Sequence, residues 1–187
     1  MDELRTGDIF TTKGEGITGW ALRHLVTPPT DRFHYGFVWI KAPDGEFLTL
    51  ESVPPKGEMP GKLSWHGDKE DIQFFRIANC PDNTAYKAPF EALSMARGTY
   101  DYLLIIKFIL EGIYLFFKIL FKEHRTRKLH TTDFHYLQDK LPICTEVVDI
   151  GCDSIGYNII PPGVAPIPNA FKEAELAGKI IRLDIPK

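Results

Sequence analysis

The stretch from Tyr102 to Phe121, YLLIIKFILEGIYLFFKILF, restricts the fold more than any other part of the chain. It is long enough to cross a bilayer as a helix. Lys107, Glu111 and Lys118 interrupt it. At about 100° per residue these charges fall within roughly 40° of one another around a helix axis, and Tyr114 and Lys122 join the same stripe. The segment therefore reads as an amphipathic helix with a narrow polar seam and a wide apolar face. Three charges make a simple lipid-spanning helix costly. We expect the helix to pack on the core or against a second copy of the chain in a homodimer. Docking of residues 102–121 on a membrane surface is the next alternative, and a membrane span the last.

The rest of the chain sets the class. Its 187 residues carry 22 Lys+Arg and 25 Asp+Glu, a formal charge of −3. That balance argues against a basic nucleic-acid binder, so no nucleic-acid partner is expected. Hydrophobic residues at 44% and charged residues at 25% are ordinary globular composition. The length suits one domain over 1–187, with about 102–138 as a helical insertion. A chain of this size buries roughly 70% of its unfolded surface and needs no disulfide staples. Cys80, Cys144 and Cys152 do not make a disulfide framework, and reduced thiols are expected. The opening Met1-Asp2-Glu3-Leu4-Arg5 has no basic or apolar leader region. The expectation is a cytoplasmic protein, with peripheral membrane association through the apolar helix as an option and export by another route left open.

The first half reads as short strands separated by turns. Asp8 to Thr12, Tyr35 to Lys41, Glu46 to Val53 and Asp71 to Ala78 are β-rich. Pro43-Asp44-Gly45 is a turn, which makes the second and third of these a hairpin. Residues Ile17 to Val26 suggest a short helix and Pro54 to Gly67 a loop. In the second half, helices are expected over Thr84 to Arg97, over the apolar stretch, and over Leu141 to Ile150. Pro142 suits the first turn of the last of these and Gly151 its end. Ile159 to Pro168 reads as extended, and Lys179 to Ile185 as a final strand. Strands followed by a helical block indicate an α+β fold.

Three residues carry candidate chemistry. Thiol hydrolysis needs a thiolate, an imidazole to manage its proton and a polar group to orient the ring. Cys144 stands where a helix should begin, and the partial positive charge of a helix N-terminus favours a thiolate. Cys80 at a strand end and Cys152 past a helix end lack that advantage. His34 opens a core strand, where its ring is held rigidly. Gly36, two residues on, leaves room on the same face. Glu51 ends the hairpin's second strand, so pairing around Asp44-Gly45 brings it opposite His34, while Glu46 stays distant. No HExxH, CxxC or His-x-His spacing appears, so neither a metal nor another cofactor is expected. There is no Gly-rich phosphate loop and no GxSxG elbow.

Taken together these residues resemble the circularly permuted form of the NlpC-type papain-like superfamily, most closely its YaeF/YiiX group. Leu4-Arg5-Thr6-Gly7-Asp8-Ile9-Phe10 looks like the family's opening strand. Phe33-His34-Tyr35-Gly36-Phe37-Val38 is similar to its histidine motif, Leu50-Glu51-Ser52-Val53 to its carboxylate strand, and Ile143-Cys144-Thr145-Glu146-Val147-Val148 to its late cysteine helix. The order His, Glu, Cys is the permuted one. Each motif is short, and their order and spacing carry the likeness. Phe33 and Thr145 depart from the small residue and the serine usual at those places, which bears on pocket shape.

The resemblance implies a permuted papain-like fold, an antiparallel sheet or small barrel packed against helices with the apolar helix added. It implies a cysteine hydrolase with Cys144 as nucleophile, His34 as acid–base and Glu51 as orienting group. Tyr100 or Tyr102 would assist the oxyanion, and Tyr35 and Glu146 would recognise a substrate amine. The substrate would be a peptide or amino-acid amide, including cell-wall peptides. A thiol acyltransferase or esterase acting on lipid, and a binding module without catalysis, are the competing expectations.

Overall fold

The computed structural model describes residues 3–14, 20, 23–53, 56–67, 71–95, 101–122, 128–134 and 143–185. Eight strands are present among them: β1 (Ile9–Lys13), β2 (Val26–Thr27), β3 (Arg32–Lys41), β4 (Phe47–Val53), β5 (Gly57–Lys62), β6 (Ile72–Ile77), β7 (Leu129–His130) and β8 (Ile180–Arg182). The helices are α1 (Asp82–Ala85), α2 (Ala88–Met95), α3 (Tyr102–Lys122), α4 (Cys144–Ser154) and α5 (Pro168–Leu176). Six strands form one antiparallel sheet in the order β5-β4-β3-β1-β6-β8, and β2 pairs with β7 in parallel. The fold is mixed α+β. The sheet is open, with β5 and β8 at its edges, and does not close into the small barrel offered as one expectation.

Alternation along the strands separates two cores. Ile9 lies opposite Phe37 on one side and Phe75 on the other. These side chains pack with Val147 and Val148 of α4 and Phe171 of α5. On the opposite face Phe10, Val38 and Phe74 gather with Leu183 and Leu63. A third cluster ties α3 to the body through Leu104 and Phe108, which meet Val26, Leu129, Phe134 and Ile143. The other face of α3 is uncovered: Leu103, Ile106, Leu110, Ile113, Tyr114 and Phe117 are exposed. Among the described residues no helix is long and apolar enough to cross a membrane.

Several expectations need correction. The segment read as a loop over 54–67 holds the edge strand β5 and a 3₁₀ turn, Leu63–His66. An edge strand tolerates Pro60, which has no ladder N–H to give. The helix expected over 84–97 is split into α1 and α2, with Pro89 in the first turn of α2, where a proline costs no intrahelical bond. Helix α4 runs through Gly151 to Ser154. Gly151 is not a stop; a Cβ there would lie 2.6 Å from the Phe37 ring and 2.8 Å from the Ala88 carbonyl, so glycine lets helix and sheet approach. Helix α5 was not expected, although Pro168 at its start and Ala170, Phe171 and Ala174 on its buried side follow helical spacing. The helix expected over 17–26 lies largely outside the described residues; Trp20, Arg23 and His24 are helical, and Val26 already belongs to β2.

Candidate active site

The β3–β4 hairpin turns at Asp44-Gly45, and its register places Gly36 opposite Glu51. Side chains two residues apart share a face, so His34 and Glu51 lie on the Phe10 side of the sheet. His34 Nε2 is 2.5 Å from Glu51 Oε2. The other carboxylate oxygen accepts from His66 Nε2 at 2.9 Å and from the Thr49 hydroxyl at 2.7 Å. The two imidazoles stack at 5.5 Å between ring centroids. The Glu51 side chain is only 3% exposed. Burial alone would raise its pKa, but the bonds and charges of His34 and His66 outweigh that and hold it at about 2. The neighbouring strand makes room for this carboxylate: a Cβ on Gly61 would stand 2.3 Å from Glu51 Oε1 and 2.7 Å from Thr49 Oγ1.

Cys144 is the first residue of α4. Ile143 before it is extended, and its N–H donates to Glu146 Oε2 at 2.8 Å, which caps the helix start. The Sγ lies 4.0 Å from the Phe33 carbonyl oxygen, at the beginning of β3. The largest influence favouring the charged form of Cys144 comes from the His34 ring. Because Nε2 is engaged by Glu51, the ring nitrogen left for sulfur is Nδ1. Burial opposes a charge on Cys144, yet the bond and charge of His34, with the backbone N–H groups of Tyr35 and Thr145, bring its pKa below the usual thiol value. Burial likewise would lower His34, and the bonds and charges of Cys144 and Glu51 override it, raising the ring to about 10. Both shifts run in the direction that favours a thiolate beside an imidazolium. Burial pushes the other thiols the opposite way, Cys80 upward and Cys152 well upward.

Of the three expected catalytic groups, His34 and Glu51 are bonded to each other, and His34 acts electrostatically on Cys144. The expected room beside Gly36 is not a cleft: the Phe10 ring fills it, 2.5 Å from where a Cβ would be. Tyr35 points to the opposite face from His34, is 2% exposed, and stacks on Phe171 with centroids 4.5 Å apart. Its backbone, rather than its ring, serves the thiol. Glu146 is 2% exposed, and its carboxylate accepts from the Ile143 N–H at the helix start. Tyr100 lies outside the described residues, as does the side chain of Tyr102 at the start of α3.

His66 was not foreseen. It follows a Pro- and Gly-rich stretch with no local pattern around it. The one usable signal was that a further strand could pair with β4 and bring whatever follows it beside Glu51. Its arrival assembles a donor set of the kind zinc accepts, since His34, Glu51 and His66 each present a ligand-type atom within 4.8 Å of the others. Here those atoms are bonded to one another. In this arrangement the Glu51 carboxylate accepts from both rings.

No family model matches the chain, and no curated protein matches it.

Proposed function

We propose that the protein is a thiol hydrolase of the permuted papain-like kind, acting on amide bonds of peptides or amino-acid conjugates. The observation that carries this reading is one ring acting on two groups: His34 bonds Glu51 and favours the charged form of Cys144. The Cys144 thiolate attacks the carbonyl carbon and forms a C–S bond. Backbone N–H groups at the start of α4 face the developing oxyanion, aided by the helix dipole. The imidazolium of His34 gives its proton to the leaving nitrogen as the C–N bond breaks. A water then attacks the acyl-enzyme while His34 takes its proton, and the C–S bond breaks to return the thiolate. Glu51 holds the ring and stays ionised throughout. Replacing Cys144 by Ala and screening amide and ester libraries tests the proposal. Turnover should fall to background, and unchanged turnover removes the mechanism.

A second reading directs the same chemistry at an acyl ester of a lipid. The exposed apolar face of α3 favours it, because such a face suits the boundary between headgroups and acyl chains. Co-sedimentation with phosphatidylcholine vesicles, with and without anionic lipid, discriminates. Binding that is lost on Leu110→Lys supports the lipid version, and no binding to either composition rules it out.

A further inference from the structure

Glu51 has two imidazole partners, and proton transfer in the reaction above uses one of them. The second, His66, comes from the 3₁₀ turn that follows β5, while His34 comes from β3 and Glu51 from β4. Three separate elements thus deliver one ligand-type atom each, and these atoms all lie within 4.8 Å of one another. The sheet assembles the set, because β4 pairs with β3 on one side and with β5 on the other.

The dimensions and the chemistry suit a small divalent cation. Ligand atoms about 2.0–2.2 Å from a tetrahedral zinc stand roughly 3.3 Å apart. The carboxylate oxygens lie 2.5 Å from His34 Nε2 and 2.9 Å from His66 Nε2, so each pair has to open by less than about 1 Å. The Thr49 hydroxyl donates to Glu51 Oε1 at 2.7 Å, an outer bond of the kind that orients a ligating carboxylate. The carboxylate is buried, but the His34 and His66 side chains keep 17% and 15% exposure, so a cation from solvent meets the two rings first. Two imidazoles and a carboxylate favour zinc and its first-row neighbours over magnesium or calcium, which prefer oxygen ligands.

We propose that His34, Glu51 and His66 form a zinc site and that zinc bound there switches the hydrolase off. The switching rests on the thiol hydrolase reading; the binding does not. Zinc takes the Nε2 lone pairs, so His34 gives its Nε2 proton to solvent and keeps one proton, on Nδ1. His66 in its neutral form likewise holds its proton on Nδ1. Hydrolysis needs His34 to hand its Nδ1 proton to the leaving nitrogen and remain a neutral imidazole. With zinc on Nε2 the same transfer would leave an imidazolate, so the acid step stops. Removing the metal restores the Nε2–H bond to Glu51 and the activity with it.

Zinc is titrated by calorimetry into Cys144→Ala protein, which has no thiolate at the site, and into the same protein carrying His66→Gln. The glutamine still offers Glu51 an N–H but no ring nitrogen. The expected result is one zinc per chain in the first protein, at least a hundredfold weaker in the second, with no saturable binding of magnesium. Nitrogen NMR of the Cys144→Ala protein identifies the ligands without any change to them: zinc should move the Nε2 signals of His34 and His66 and leave those of His24 and His130 in place. Equal zinc affinity in both proteins, tighter binding of magnesium, or unmoved His34 and His66 signals overturns the site. In the protein with its thiol, zinc should abolish amide turnover and a chelator should restore it, while His66→Gln keeps its own turnover at the same zinc concentration. Turnover that persists with zinc bound overturns the switch and leaves the hydrolase reading standing. Zinc bound as expected in a protein that shows no turnover supports the site and removes the hydrolase.

Discussion

Glu51 sits between two histidines, and what each contributes can be separated. His34 takes one carboxylate oxygen and His66 the other, so His66 fixes the group that fixes His34. A hydrogen bond to a charged group is worth about 1.5–3 kcal/mol. His66→Ala should therefore lower kcat roughly tenfold or more, with KM little changed, and His66→Gln should recover part of the loss by donating an N–H. Steady-state kinetics of the two variants check this; a loss shared equally by both reduces His66 to packing. The same carboxylate links the site to acid stability. Its folded pKa of about 2 lies below the ordinary value of 4.5, so its stabilisation is present above 4.5 and is lost as pH falls through 2. The difference corresponds to about 3 kcal/mol. Denaturant titrations between pH 6 and pH 2 should show the parent losing stability relative to Glu51→Gln, and parallel curves would contradict the assignment.

Elements place these residues by close approach. β5 lies against β4 with Gly61 facing Glu51, where any side chain would displace the carboxylate. Gly61→Ala should lower the hydrolytic rate while leaving far-UV circular dichroism unchanged. α4 holds Cys144 at its start and lies on the sheet through Gly151. Forcing a methyl group against Phe37 and the Ala88 carbonyl costs typically 1–3 kcal/mol, so Gly151→Ala should lower Tm by several degrees. The helix also carries a half-buried acid. Burial first, then Asp153 and Glu146, raise Asp149 from 3.8 to about 8. An acid with a raised folded pKa weakens the fold progressively as pH climbs from its unfolded value to the folded one. Asp149→Asn should therefore be more stable than the parent at pH 8 and lose that advantage toward pH 4, as thermal melts would show; equal stability at pH 8 would contradict it.

At the scale of the molecule, legibility in the sequence followed distance along the chain. The β3–β4 hairpin was readable because Asp44-Gly45 marks its turn, and that local pairing alone brings Glu51 to His34. Cys144 was readable as a helix start for the same local reason. Its meeting with His34 rested on a family resemblance, because no rule of periodicity joins residues more than a hundred positions apart. His66 and α5 escaped for complementary reasons. The first follows an edge strand whose Gly and Pro content imitates a loop, and the second begins in a Pro-rich stretch that reads as extended. The wide apolar face of α3 was read correctly as amphipathic, and the structure adds that Leu104 and Phe108 point inward while Leu103 and Leu110 do not.

The account depends on Cys144 being a thiolate because His34 holds it so. Alkylation of Cys144 by iodoacetamide, followed by mass spectrometry across pH 4 to 10 in the parent and in His34→Gln, measures this directly. The parent should react faster than a free cysteine at neutral pH, with an inflection below the ordinary thiol value, and the variant's inflection should move up. An inflection at or above 9 in the parent, or the same inflection in both proteins, would contradict the thiolate–imidazolium pair and with it the hydrolase.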